Sequence, residues 1–78
     1  MRSLTSVGSE KAGPSPTSRE REVLALLALG CSDKEVARRL GISDLTARKH
    51  RENLLRKAGA HKVAELVLLA TRRGWLPG

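Results

Sequence analysis

Residues 32–57 read SDKEVARRLGISDLTARKHRENLLRK, and the fold turns on how that stretch divides. Ser32 and Glu35 form an S-x-x-E capping box, in which hydroxyl and carboxylate each satisfy a backbone N–H that a helix start leaves open. Val36, Ala37 and Leu40 follow at helical spacing as an inward stripe, and Gly41 stops the segment, so the pattern predicts a helix over about 33–40. Gly41-Ile42-Ser43 leaves three residues before a new N-cap at Ser43, and a helical segment then runs unbroken from Asp44 to Lys57. That second helix is about 21 Å long.

Two helices joined by a three-residue turn containing Gly are the layout of a helix-turn-helix. Its packing demands are met position by position. Ala37 is small where the second helix crosses, Gly41 takes a turn in which a side chain would hinder the chain reversal, and Val36, Leu40, Ile42 and Ala47 fill the wedge between the helices.

Upstream, Thr17-Ser18-Arg19-Glu20 repeats the capping box behind Pro16, Val23, Leu24 and Leu27 repeat at helical spacing, and Gly30 supplies a left-handed stop. This predicts a helix over about 18–29. Downstream of Gly59, the stretch 62–73 is helical again and ends in two arginines before Gly74, a favourable charge arrangement at a helix C-terminus. No strand pattern, repeat or heptad appears. From Met1 to Pro16 the chain is Ser, Thr, Gly, Pro and scattered charge without a period, the composition of a disordered tail or linker. The organisation is therefore an all-α, four-helix domain over 17–78 behind a flexible tail over 1–16.

A chain of 78 residues with no Phe, no Tyr and one Trp allows one small aliphatic core and argues against an elaborate enzyme cleft. The longest apolar run, Val23 to Leu29, is far short of the roughly 20 residues a membrane span needs. The first residues hold no apolar core of a secretory signal, which points to the cytoplasm. Cys31, the single cysteine, can neither staple the fold nor build a multi-cysteine zinc site. Fifteen Lys and Arg against eight Asp and Glu give a net charge of +7, which directs the search for partners to polyanions, nucleic acid first and anionic membrane second. Between Asp44 and Lys57 the cations Arg48, Lys49, Arg51, Arg56 and Lys57 stand against only Asp44 and Glu52, the composition of a DNA-recognition helix.

The run LTARKHRENLLRKAGAHKVAEL, preceded by TSREREVLALLALGCSDKEVARRLGIS, resembles the LuxR-type helix-turn-helix domain of the LuxR, NarL and FixJ transcriptional regulators. The resemblance covers about Thr17 to Gly74 and rests on the T-x-RE-x-EVL opening, the KE-x-A-x-x-LGIS turn and the T-x-R-x-H-x-x-N-L-x-x-K run. It implies a four-helix domain whose third helix enters the major groove of double-stranded DNA and whose fourth forms a dimer contact. RNA polymerase is a further partner such a regulator engages, and no cofactor, metal or catalysis is implied. The family's base-facing positions fall on Leu45, Arg48, Lys49 and Glu52. The helical wheel agrees, since Ala47, His50, Leu54 and Ala58 are spaced by three and four and point inward. Ser32, Lys34, Thr46, Asn53 and Lys57 fall where phosphates are held, which positions a domain without reading sequence.

Glu52 and Leu45 depart from the basic or polar residues usual there; a carboxylate accepts from cytosine N4, and leucine contacts a thymine methyl. Ala47 and Ala58 replace a usual Val and Leu. Glu52 has an alternative role as an ion-pair partner of Lys49 or Arg56 along the helix. Helix 62–73 is apolar around more than half its circumference, which one core cannot cover. A self-contact stripe of Val63, Val67 and Ala70, with Leu66 and Leu69 inward, is the reading adopted here; Trp75 and Leu76 folding back over the helix is its rival.

Cys31, His50 and His61 have no zinc-ligand spacing, and Glu20 and Glu35 complete capping boxes rather than an acid/base pair. The reading is thus a dimeric, sequence-specific regulator on a roughly palindromic operator. A sigma-factor-like promoter-recognition region and a protein-interaction module acting on another regulator's dimer face compete with it. The chain is either a C-terminal DNA-binding domain or a stand-alone regulator.

Overall fold

The computed structural model describes residues 15–76. Four helices follow one another: α1 (Ser18–Ala28), α2 (Asp33–Leu40), α3 (Asp44–Ala58) and α4 (Val63–Arg72), with no strand among the described residues. Every helix end lies within one residue of the sequence expectation, because the punctuation acts as read. Thr17 Oγ1 accepts the Glu20 N–H at 3.1 Å while the Thr17 N–H donates to Glu20 Oε1 at 3.0 Å. Ser32 and Glu35 repeat the exchange at 3.2 and 2.8 Å, and Ser43 Oγ accepts the Thr46 N–H at 3.0 Å.

α2 closes at Gly41, where φ is +68° and the Ile42 N–H turns back to the Ala37 carbonyl at 3.0 Å. Beyond Gly41 itself and its two chain neighbours, no heavy atom of the described residues lies within 4 Å of the point where a Cβ would sit. The turn therefore demands glycine for its left-handed backbone and not, as the sequence suggested, for want of room.

Val23, Leu24, Leu27, Val36, Ala37, Ala47, Leu54, Ala58, Leu66 and Ala70 form one buried core, with Leu40 and Ile42 of the turn packed against it. α3 is its hub, touching each of the other three helices and α2 most extensively. One face of α3 is thereby fixed on three sides and the other is left outward.

α4 corrects the expected self-contact stripe. Val63, Leu66 and Ala70, three and four residues apart, share the inward face: Leu66 and Ala70 are fully buried and Val63 packs on the core. Ala70 thus has no surface to offer a second copy, and Val63 is committed inward. The outward apolar side is Ala64, half-buried Val67 and Leu68, the last 52% exposed. Trp75 and Leu76 do fold back: the Trp75 N–H reaches the Ala70 carbonyl at 2.8 Å, Arg21 donates to the Trp75 carbonyl at 3.4 Å, and both side chains pack on the core, leaving Leu68 uncovered by them.

The tail expected over 1–16 lies outside the described residues except at its inner end. There Pro16 is buried and the Ser15 carbonyl accepts a hydrogen bond from Lys57, so both belong to the folded unit.

Candidate nucleic-acid interface

The outward face of α3 carries Leu45, Arg48, Lys49 and Glu52, all exposed, and with Thr46 they line one shallow depression. The four positions expected to face bases are therefore brought together. Their side chains point away from Ala47, Leu54 and Ala58, which are buried. Half-buried His50 shares that inner side; its Nδ1 is buried and has no hydrogen-bond partner among the described residues.

Arg48 and Lys49 make no ion pair among the described residues, so their donors remain available to a ligand. Glu52 makes none either, although cations lie one turn away on both sides. Arg56 donates instead to Asn53 Oδ1 at 3.1 Å.

Ser32 and Lys34 sit exposed at the start of α2, where unpaired N–H groups and the helix dipole favour an anion. The Ser32 oxygen accepts the Glu35 N–H and the Thr46 oxygen accepts from the Ser43 hydroxyl, which leaves each O–H proton to donate outward. Asn53 is half-buried with its carbonyl oxygen taken by Arg56, and its amide N–H groups remain.

Lys57, expected to hold a phosphate, is engaged within the domain. Its Nζ lies 2.6 Å from Glu20 Oε1 and 3.2 Å from the Ser15 carbonyl, with 22% of its side chain exposed. The physical reason lies in α1: Glu20 shares the inward stripe of Val23, Leu24 and Leu27, and a carboxylate buried there requires a cation. Burial alone would raise the Glu20 carboxyl. Hydrogen bonds from Lys57 and the Thr17 N–H, with the charges of Lys57 and His50, outweigh it and hold the group below its ordinary range.

Arg51, counted with the recognition charge in the sequence, is likewise engaged. Its Nε donates to Asp33 Oδ1 at 3.0 Å across the α2–α3 wedge, both side chains being less than a third exposed. The opposed charges of Asp33 and Arg51 were visible in the sequence; their contact, 18 residues apart, was not.

The arrangement has the chemistry of a surface that binds an extended polyanion: donors at a helix start and a cationic helix face lining a shallow depression. Residues 15–70 match the family model described as bacterial regulatory proteins, luxR family. The chain is 45% identical over 58 residues to the transcriptional regulatory protein MctR of Rhizobium johnstonii, covering 74% of this chain and 27% of that protein. The solved transcription factor GerE is 36% identical with a TM-score of 0.73, covering 78% of this chain and 91% of that one. A structure of the Vibrio cholerae VqmA dimer in the absence of target DNA is 39% identical with a TM-score of 0.73, covering 78% of this chain and 28% of that one. The chain thus spans about a quarter of the length of MctR. With four helices, a helix-turn-helix at their centre and this match over most of the fold, the chain belongs to the LuxR family of bacterial regulatory proteins and is its helix-turn-helix DNA-binding domain.

Proposed function

We propose that this domain binds a roughly palindromic operator as a dimer, with α3 in the major groove and half-sites about one helical turn apart. Arg48 is the principal base reader, its planar fork matching guanine O6 and N7, and Lys49, Leu45 and Glu52 complete the reading face. Ser32, Lys34, Thr46 and Asn53 hold phosphates and set the register. The observation that carries the reading is the outward face of α3, whose Arg48 and Lys49 make no ion pair among the described residues and sit beside Leu45 and Glu52 in one depression.

The dimer contact runs through Val67 with its outward neighbours Ala64 and Leu68, an apolar strip that suits a second copy of itself. VqmA, solved as a dimer and also in complex with DNA, supports this reading. The complex acts in the cytoplasm, where its DNA is, and RNA polymerase is its further protein partner.

Selection of the chain on random duplex DNA at physiological salt tests all of this together. Enrichment of an inverted repeat is expected. A single half-site would remove the dimer and keep the base reading, and the absence of any enriched sequence would overturn it.

A further inference from the structure

Two residues on the reading face of α3 are chemically unlike their neighbours. Leu45, the second residue of α3, is 69% exposed and carries no polar atom. Glu52, two turns on, is exposed and unpaired among the described residues, beside Arg48 and Lys49. Each makes a poor contact with a phosphate backbone, the first for lack of a donor and the second by repulsion. Each has one good complement on a base edge.

The thymine C5-methyl is the apolar group that the four bases display in the major groove, and it is the match for Leu45. A carboxylate only accepts hydrogen bonds. Cytosine presents the N4 amino donor with no acceptor on the same edge, whereas adenine sets its N7 acceptor beside N6, and guanine and thymine offer acceptors alone. Glu52 is therefore matched to cytosine. Arg48 and Lys49, between them along the helix, are matched to guanine O6 and N7. From residue 45 to 52 the helix rises about 10.5 Å, or about two to three base steps, since the path along the groove is longer per base pair than the rise along the duplex axis.

We propose that the half-site contains a thymine methyl and a cytosine N4 amino group about two to three base steps apart with guanine between them, taken by Leu45 and Glu52 respectively. The assignment rests on the reading that α3 enters the major groove. Both positions are exposed, so exchanging them changes the ligand and not the core.

The test is random-duplex selection with the full chain, Leu45→Ala and Glu52→Gln in parallel, followed by binding to the enriched site with each thymine replaced in turn by deoxyuridine. A glutamine bonds adenine N6 and N7 together, so Glu52→Gln is expected to exchange one cytosine of the motif for adenine, with about a tenfold change in the preference between the two sites. Deoxyuridine at one position, about two to three steps from that cytosine, is expected to weaken the unaltered chain about threefold and to leave Leu45→Ala indifferent. An enriched motif unchanged by Glu52→Gln, or binding insensitive to deoxyuridine at every position, overturns the assignment while leaving sequence-specific binding standing. No enriched motif with any of the three proteins overturns the underlying reading, and this assignment with it. The deoxyuridine arm uses the unaltered chain, so it decides the Leu45 half even where a variant folds poorly.

Discussion

Lys57 Nζ lies 2.6 Å from Glu20 Oε1, joining the last turn of α3 to the first turn of α1 across 37 residues of sequence. The pair holds the far end of α3 and engages one of that helix's cations within the domain.

Lys57→Ala therefore acts on stability first. It leaves the buried Glu20 carboxylate without its cation, a loss of about 2 kcal/mol for a pair this little exposed. In a domain this small the melting temperature is expected to fall by roughly 10 °C. The slope of log affinity for DNA against log salt should stay where it was, since no phosphate contact is lost. A slope shallower by about 0.9 would return Lys57 to the phosphate set.

Acid should loosen the same joint. The Glu20 carboxyl is held below its ordinary value of 4.5, and exposed Glu35, hydrogen-bonded by the Ser32 N–H, shifts in the same direction. A group with a lowered folded pKa binds fewer protons in the folded state. Its contribution is complete above the ordinary value and is lost as pH falls through the lowered one. Thermal melts from pH 7 downward are expected to hold until about pH 5 and then decline, with a shallower decline in Glu20→Gln. Parallel decline in the two proteins would show that Glu20 is not the titrating group.

Arg48 and Lys34 should fail in different ways. Arg48→Ala is expected to cost about 1–3 kcal/mol on the selected site and almost nothing on random DNA, flattening the preference. Lys34→Ala should weaken both by a similar factor and reduce the salt slope by about 0.9. Competition binding at three salt concentrations separates them, and equal, sequence-blind losses would contradict the base-reading role of Arg48.

Arg51 is a cation of α3 that should behave like neither. Because its guanidinium is engaged by Asp33, Arg51→Ala is expected to lower DNA affinity through the α2–α3 angle with the salt slope unchanged. Asp33→Ala should mimic it, and the double variant should lose little more than either alone. Additive losses in the double variant, or a shallower slope, would make Arg51 a phosphate contact.

The helices were legible because their signals are local. Two capping boxes, the Ser43 cap and the terminal glycines each act within a few residues, so the ends they mark fell within one position. The exposed face of α3 was legible for the same reason, as the complement of the inward stripe on one helix. The engagement of Lys57 was not legible because its partner lies on another helix. The signal existed nonetheless: Glu20 lies in register with Val23, Leu24 and Leu27, and an acid in a buried stripe calls for a base. On α4 the pattern gave no decision, since a helix apolar on most sides does not say which side the core takes. Packing chose Val63, Leu66 and Ala70, and Val67 and Leu68 were left outward.

The division of α3 also bears on how such a domain changes over generations. Leu45, Arg48, Lys49 and Glu52 are exposed and outside the core, while the groups that fix the helix, Arg51, Leu54, Lys57 and Ala58, face the rest of the protein. Substitutions on the exposed side cost little folding stability. With the base reading proposed above, a lineage is therefore free to rewrite the address it recognises through single neutral-to-stability steps, while the scaffold that presents the address is inherited unaltered.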